Sequence, residues 1–268
     1  LCASSMASVG VLLQSKSERF PNGLGNDSDT LGRAIMDHHY QLGASAKVDG
    51  HLDKYYKGRR PNGFYIPRFV NLDEKTKRND YIRGFGFQGS ASREDWTDSI
   101  AEMGYGANLK ESILKPGEWK IGATGFGEFL PYEDNRVTLS ATEKDKWGLP
   151  QLDFDVEFKE NEYKMREDIK KEIVSIFEAA GFKDISVYDR ATGPGLGIHE
   201  MGGARMGRDP KTSILNKNNQ IHNVPNVYVT DGAFMASSSC VNPSLTYMAF
   251  TARAANHAAK QFKLGKFA

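Results

Sequence analysis

Residues 150 to 181 carry the clearest alternation of hydrophobic and polar positions in the chain. The apolar residues of this alternation are separated by acidic ones and are Leu152, Phe154, Val156 and Phe158. A two-residue period of this kind predicts a half-exposed strand. Asn161 is then expected to cap a helix that ends at Gly181. The apolar face predicted for that helix, at helical spacing, is Met165, Ile169, Ile173, Ile176 and Phe177.

Between Gly43 and Gly127 the apolar segments are short and are separated by glycines and charged turns. These segments are 64–66, 69–70, 81–82, Phe85 and Phe87. The pattern predicts an antiparallel sheet with long connections. Residues 84–89 formally satisfy the G-x-G-x-x-G fingerprint of dinucleotide sites. Because no apolar helix follows and no parallel strand–helix–strand unit surrounds it, we predict a glycine-spaced strand instead.

Further elements are predicted along the rest of the chain. Short helices are expected from about Ser5 to Ser15 and from Thr30 to Met36, and a last, alanine-rich helix from Pro243 to about Phe262. Shorter strands are expected at 136–140, 185–187 and 227–230. His38 and His39 follow the second helix. Adjacent residues point in different directions and no ligand cluster accompanies them, so an interaction with the helix C-terminus is favoured over a metal site.

The composition and charge of the chain limit the classes of protein to which it can belong. The 268 residues are 39% apolar, enough to bury the core of one or two domains. A net charge of +1 gives no electrostatic argument for nucleic acid or an anionic membrane surface. Two cysteines provide neither a disulfide framework nor a metal site, and no apolar run approaches the ~18 residues of a transmembrane helix. Leu1 follows no initiator Met or signal sequence, so we expect a C-terminal fragment whose localisation, periplasmic or cytoplasmic, stays open.

The segment 197–207 is the first candidate for chemistry. It places His199 in a glycine-dense, proline-flanked run that cannot be a regular helix. A lone histidine is often structural, but a loop fixed on a scaffold is a common position for a functional residue, and imidazole titrates near working pH, which suits a general base. A zinc-peptidase motif would need a second histidine four residues later, where Gly203 stands.

The second candidate runs from Asp231 to Thr246. A strand ends at Asp231-Gly232, which alone is compatible with a simple turn. A loop of small residues then leads to Asn242 and Pro243, predicted as the N-cap and first residue of a helix. Such a start directs free N–H groups and the positive end of a helix dipole at whatever precedes it. Cys240 is expected to be a small packed residue rather than part of the site.

Both segments resemble the C-terminal signature of the glucose–methanol–choline (GMC) flavoprotein oxidoreductases. The resemblance runs almost end to end and extends to 3–5 with 12–15, 22–26, 32–38, 127–131, 135–137 and 147–150. Within the family, the sugar-oxidising branch is nearest, in particular bacterial glucoside 3-dehydrogenase-like proteins. The glycine fingerprint of the family's N-terminal half has no counterpart in this sequence.

The resemblance implies an α/β (α+β) fold of the FAD-binding GMC type, without its N-terminal dinucleotide-binding core. Residues 1–40 and 190–268 are then expected to belong to the FAD-binding domain. Residues 41–189 are expected to form a substrate-binding domain built on an antiparallel sheet.

The resemblance also implies the roles of individual residues. His199 matches the family's catalytic base, and Asn242 matches a second active-site position that hydrogen-bonds the substrate hydroxyl while hydride passes to flavin N5. Contacts to FAD are implied for Asp231, Gly232, Ala233, Asn242 and Pro243, and, near its nucleotide half, for Ala3, Ser4 and Ser5. Arg205 is expected to brace the His199 loop. No metal is implied.

The function expected from this resemblance is FAD-dependent oxidation of a CH–OH group of a sugar or glycoside. The resemblance favours a quinone, cytochrome or other carrier over oxygen as electron acceptor. Two alternatives stay open. The substrate is another alcohol, such as a polyol or an aldonic acid, or the chain is a truncated, non-catalytic fragment that cannot hold FAD alone.

Overall fold

The computed structural model describes residues 1–54, 63–93, 105–114 and 117–267. Its helices are α1 (Ser5–Gln14), α2 (Ala107–Leu114), α3 (Glu160–Ala179) and α4 (Ser244–Lys263), with a 3-10 turn at Gly232–Phe234. Its strands are β1 (His38–His39), β2 (Leu42–Val48), β3 (Gly63–Ile66), β4 (Phe85–Arg93), β5 (Trp119–Glu128), β6 (Arg136–Lys144), β7 (Pro150–Asp155), β8 (Lys183–Asp189), β9 (Gln220–Ile221) and β10 (Val224–Tyr228).

The chain divides into two compact units. The first unit comprises Leu1–His39, Glu128–Glu162 and Gly193–Ala268, and the second comprises Tyr40–Gly127 and Tyr163–Thr192. The mixture of helices and antiparallel strands confirms the predicted fold class. The assignment of FAD-binding and substrate-binding roles to parts of the chain stays a prediction.

An antiparallel sheet with the strand order β3-β4-β5-β2-β8 forms the second unit. Helix α3 packs on it with Met165, Ile169, Ile173 and Phe177 fully or almost fully buried, as the helical spacing predicted. The approach is close, because a Cβ added to Gly125 of β5 would lie 2.4 Å from the Ile169 side chain. Each such buried side chain contributes about 1.5–3 kcal/mol to the stability of the unit.

The predicted glycine-spaced strand is confirmed, since residues 85–89 open β4. A Cβ on Gly89 would lie 2.3 Å from the Gly122 carbonyl oxygen, so the glycine allows neighbouring strands to pack closely. The segments 69–70 and 81–82 are not strands. The polar groups of their connection are satisfied by side chains instead: Asn71, for example, donates its amide to the Arg83 carbonyl at 2.7 Å.

The first unit packs α1 and the β6–β7 hairpin around one hydrophobic core. Its buried members include Val9, Leu12 and Val137, with Leu152 packed against them. Residues 128–162, which the sequence-based division places in the middle domain, therefore lie in the first unit, because this hairpin covers the apolar face of α1.

The predicted helix at Thr30–Met36 is wrong. Gly32 and Ala34 adopt left-handed backbone angles (φ 81° and 56°), which no right-handed helix accommodates. The backbone groups of the segment bond to distant chain segments instead. Ile35 donates to the Asn135 carbonyl at 3.0 Å, and Gly32 accepts from the Val137 amide at 2.8 Å. The histidines that follow are consequently not at a helix end.

Both predicted asparagine N-caps are also wrong, by one or two positions. Helix α3 starts at Glu160, so Asn161 lies inside its first turn, and the Glu162 carboxylate accepts the Lys159 amide at 3.0 Å. Helix α4 starts at Ser244 with Pro243 in the cap position and Asn242 before it. The predicted strand through Phe158 ends at Asp155 (β7), although Phe158 is buried. No helix among the described residues is long and apolar enough to cross a membrane.

Candidate active site

The backbone of the candidate site is built from three segments that are far apart in sequence. The central segment, residues 199–207, is hydrogen-bonded on both sides. On one side Met201 exchanges both backbone hydrogen bonds with Met36, at 2.8 and 2.9 Å. On the other side Gly202 donates to the Gly232 carbonyl at 3.0 Å, and this pairing continues toward residue 206. The two sequence motifs therefore lie side by side in the first unit.

Glycine is required at the centre of this arrangement. Gly202 has a left-handed backbone (φ 86°), and a Cβ there would lie 2.1 Å from the Ala34 carbonyl oxygen. Gly232 is equally enclosed, since a Cβ there would lie 2.5 Å from the Glu200 carbonyl oxygen and 2.8 Å from the Tyr247 hydroxyl. The glycine-dense run thus allows three backbone segments to approach one another.

His199 and Asn242, the two residues predicted as catalytic, are brought together. Asn242 Nδ2 lies 3.4 Å from His199 Nε2, although the residues are 43 positions apart in sequence. An amide nitrogen can only donate, so this contact makes Nε2 the acceptor and places the proton of the neutral imidazole on Nδ1. Nδ1 is buried and has no hydrogen-bond partner among the described residues. The basic nitrogen is thus the one that faces the Asn242 amide, which is exposed.

Sequence reasoning missed the contacts of His38 and His39, of which the first lies against His199. The His38 ring, 1% exposed, meets the His199 ring edge-on, with centroids 5.0 Å apart and an interplanar angle of 89°. His39 Nε2 lies 3.2 Å from the Glu128 carbonyl oxygen, and its ring packs on Phe158. These contacts replace the predicted interaction of the histidines with a helix end. Their signal was hidden because residues 30–36 read as a helix rather than as a segment paired with residue 201.

Four of the residues implied for cofactor contact adjoin one another: Ser5, Asp231, Gly232 and Ala233. The buried Asp231 carboxylate caps the 3-10 turn by accepting the Ala233 amide at 3.0 Å. Its other oxygen accepts the Ala3 amide at 3.0 Å and the Ser8 hydroxyl. Asp231 therefore ties the start of α1 to the turn; whether it also contacts a cofactor stays a prediction.

Two helices begin near these residues without a side-chain cap. Ser4 holds the N-cap position of α1 with φ 79°, and Pro243 holds that of α4; neither accepts a hydrogen bond from the first turn through its side chain. Uncapped helix starts present N–H groups and positive dipole ends, which suit phosphate or another anion. This arrangement fits a cofactor that carries a pyrophosphate and a ring that becomes negatively charged.

The charges around this part of the site are mostly acidic. Burial raises the pKa of the Tyr247 hydroxyl, and the carboxylates of Asp231, Glu200 and Asp37 raise it further. Tyr247 therefore stays a neutral hydrogen-bond donor over the whole physiological pH range. An apolar cavity of about 560 Å³ in the first unit is bounded by side chains such as Met6, Ile35 and Phe154, with Glu200 at its edge.

Two further expectations concern residues beside the site. Arg205 donates to the Thr212 carbonyl at 2.9 Å and forms an ion pair with Glu133, so it braces the chain after the central segment. The predicted bracing of the His199 loop stays a prediction. Cys240 is 3% exposed, as expected of a packed small residue. The described residues contain no group of three or more His, Cys, Asp or Glu side chains arranged to hold a metal ion.

A family model covers the part of the chain that contains the two sequence motifs of the candidate site. Residues 131–251 match the family model described as GMC oxidoreductase. This range contains His199, Asn242 and the paired segments around Met201 and Gly232. The resemblance to the GMC oxidoreductases predicted from the sequence is therefore confirmed.

Individual relatives match almost the whole chain. It is 33% identical to 2-methyl-1,2-propanediol dehydrogenase of Mycolicibacterium austroafricanum, over 97% of the chain and 47% of that protein. It is 27% identical to the fructose dehydrogenase large subunit of Gluconobacter japonicus, over 99% of the chain and 47% of that protein. The chain spans about half the length of the curated relatives it matches.

A solved structure supports the fold. Pyridoxine 4-oxidase from Mesorbium loti superposes with a TM-score of 0.52 over 97% of this chain and 51% of that one, at 15% sequence identity. At this identity the similarity concerns the fold, and it agrees with the fold class predicted from the sequence.

Proposed function

We propose that this chain provides the alcohol-oxidising site of an FAD-dependent GMC oxidoreductase acting on a CH–OH group of a sugar, glycoside or other polyol. The observation that carries the proposal is the 3.4 Å contact between His199 and Asn242. A base and a hydrogen-bonding amide directed at one point are the groups that an alcohol hydroxyl needs in order to lose its proton in a fixed orientation.

His199 takes the hydroxyl proton at Nε2, the nitrogen that the Asn242 contact leaves as acceptor. Asn242, which is exposed, turns its amide to the same hydroxyl oxygen and holds the carbon-bound hydrogen in line for transfer. FAD, which the family implies, supplies when bound the acceptor for that hydrogen and its electron pair. The O–H proton thus goes to His199, the C–H electron pair leaves the carbon, and a carbonyl forms.

The residues proposed to hold FAD are those around the two uncapped helix starts: Ser4, Ser5, Asp231, Gly232, Ala233, Asn242 and Pro243. The start of α4 directly follows Asn242, so its dipole favours negative charge that develops beside the reacting carbon. The crowding at Gly232 leaves no room for a side chain at this position.

The substrate class is proposed from the relatives. One is named for a diol and the other for fructose, and both compounds offer neighbouring hydroxyls. Both proteins are dehydrogenases by name, which favours a quinone, cytochrome or other carrier over oxygen as acceptor. Sugars and glycosides are therefore the first candidates, with polyols and aldonic acids next.

The test uses the native gene product and follows its visible flavin absorbance under anaerobic conditions. Glucosides, free sugars, polyols and aldonic acids are added in turn. We expect one class to bleach the band, His199→Ala to keep the band but lose the bleaching, and the exposed His51→Ala, a matched control, to behave as wild type. Equal bleaching without His199 would exclude it as the base. A gene product with no flavin band would favour the non-catalytic alternative.

A further inference from the structure

Asp37 has an unusual set of partners. It is 2% exposed, and its carboxylate faces the loop that leads into the central segment. Oδ2 accepts the amides of Gly195 at 3.1 Å and Gly197 at 2.8 Å, and Oδ1 accepts the amide of His199 at 3.2 Å. The donors are every second residue of the loop, so the chain curls around the carboxylate.

Burying a carboxylate costs roughly several kcal/mol of free energy unless its oxygens accept hydrogen bonds. Here backbone amides satisfy them, and charge-assisted bonds of this kind are about twice as strong as neutral ones. The loop is shaped for this purpose. Gly195 has φ 101°, and a Cβ on Gly197 would lie 2.5 Å from Asp37 Oδ1. A side chain at residue 197 would push the carboxylate away from the loop.

The third donor is the amide of His199 itself. Asp37 therefore fixes the backbone of His199 on one side, while its neighbour Met36 exchanges two hydrogen bonds with Met201 on the other. Its other neighbour, His38, packs edge-on against the His199 ring. Three consecutive residues thus fix His199. Asp37 accepts its backbone amide, Met36 pairs with the backbone of Met201 after it, and His38 contacts its imidazole ring.

We propose that Asp37 is a positioning residue for His199: its carboxylate sets the loop geometry that directs Nε2 at the substrate hydroxyl. The proposal rests on the proposed function, in which His199 is the base. An asparagine in its place keeps the size of the side chain, but it has one acceptor oxygen fewer and turns an NH2 group toward N–H donors. The loop then loses at least one bond, and His199 moves.

The experiment measures kcat and KM of the native gene product, its Asp37→Asn variant and the control Asp29→Asn, whose exposed carboxylate pairs with Arg33 in the same unit. A misplacement of about 1 Å costs on the order of 100-fold in rate. We expect Asp37→Asn to lower kcat about 10- to 100-fold with little change in KM or flavin content. The melting temperature should fall as well, because the loop loses a buried hydrogen bond. Asp29→Asn is expected to match wild type.

A double variant separates positioning from general destabilisation. If Asp37 acts through His199, adding Asp37→Asn to His199→Ala lowers the residual rate no further. A further loss equal to that of the single variant would overturn the proposal, as would an unchanged kcat in Asp37→Asn. Should Asp37→Asn fail to fold, Gly197→Ala displaces the same carboxylate and is expected to give the same loss of kcat. A wild-type rate in His199→Ala would instead sink the proposed function.

Discussion

The two units obtain their backbone hydrogen bonds in different ways. The second unit is built on antiparallel ladders, such as the unbroken register of β4 with β5 from Phe85 to Arg93. In the first unit the candidate site rests on irregular segments, in which Met201 pairs with Met36 and Gly202 with Gly232. Regular ladders produce a periodic pattern of apolar and polar residues in the sequence. Irregular pairings produce no such period and are marked only by glycines and isolated polar residues.

The difference matters because the site needs positions that a regular element cannot supply. The Asp37 carboxylate accepts three backbone amides, and the His38 ring meets the His199 ring edge-on. Both arrangements require local turns of the backbone. Crowded glycines occur in both units, but Gly202 at the site also has a left-handed backbone, whereas Gly89 and Gly125 of the second unit lie in regular strands. Substitutions of the same residue type should therefore have different effects in the two units.

The largest effect is expected for glycine. Gly202→Ala places a Cβ 2.1 Å from the Ala34 carbonyl oxygen at φ 86°, so it should cost about 4 kcal/mol of unfolding free energy. Gly122→Ala in β5 meets nothing nearer than 3.9 Å and should change that free energy by less than about 1 kcal/mol. Urea unfolding of both variants measures the two losses of unfolding free energy. Equal losses would remove the contrast between the units.

The second unit has its own sensitive point, the ion pair of Arg166 with Asp189. The Arg166 side chain is 4% exposed. Asp189→Ala leaves a buried guanidinium without its carboxylate, so we expect a loss of about 3 kcal/mol. Asp184→Ala, which removes an exposed partner of Lys47, should cost less than about 1 kcal/mol. Chemical denaturation measures both, and a small effect at Asp189 would mean that the pair is not structural.

The loop before Asn242 depends on one hydroxyl. Ser238 Oγ accepts the Phe129 amide at 2.8 Å and donates to the Phe129 carbonyl at 2.9 Å. Ser238→Ala leaves both buried groups unpaired and should cost about 2 kcal/mol. The exposed Ser140→Ala, which removes a single bond to the Glu143 amide, serves as the control. A melting temperature shifted equally by both variants would argue against this role.

The smallest effect concerns pH. Burial lowers the pKa of His222 from 6.5. Because the unfolded chain then binds this proton more readily, His222 contributes stability above the unfolded pKa, and that contribution falls as pH drops below it toward the folded pKa. The loss of unfolding free energy between pH 7.5 and 5.5 should be smaller in His222→Gln than in wild type, by less than about 1 kcal/mol. Identical slopes would contradict the assignment.

The second unit was predicted well from the sequence, because the spacing of its apolar residues matches the repeat of its helix and strands. Ile169 and Ile173 fell on the face that packs on the sheet. The sequence also pointed to His199 and Asn242, chiefly through the resemblance of their motifs to the GMC family. The structure brings the two residues together, and their catalytic roles stay a prediction. The sequence did not predict Asp37 or His38 as parts of the site. Their importance depends on the hydrogen bonds of Asp37 and the ring contact of His38 with residues about 160 positions away, which no local pattern records. Other long-range bonds, such as that of Ile35 to Asn135, override the helix predicted at 30–36.

The central claim is that His199 and Asn242 act on one substrate hydroxyl. Its most direct test is the anaerobic rate of flavin reduction by substrate in the native gene product, His199→Ala, Asn242→Ala and the double variant. The account predicts that each single variant slows reduction at saturating substrate, and that the double variant is no slower than His199→Ala. Fully additive losses, or a rate in His199→Ala equal to wild type, would contradict it.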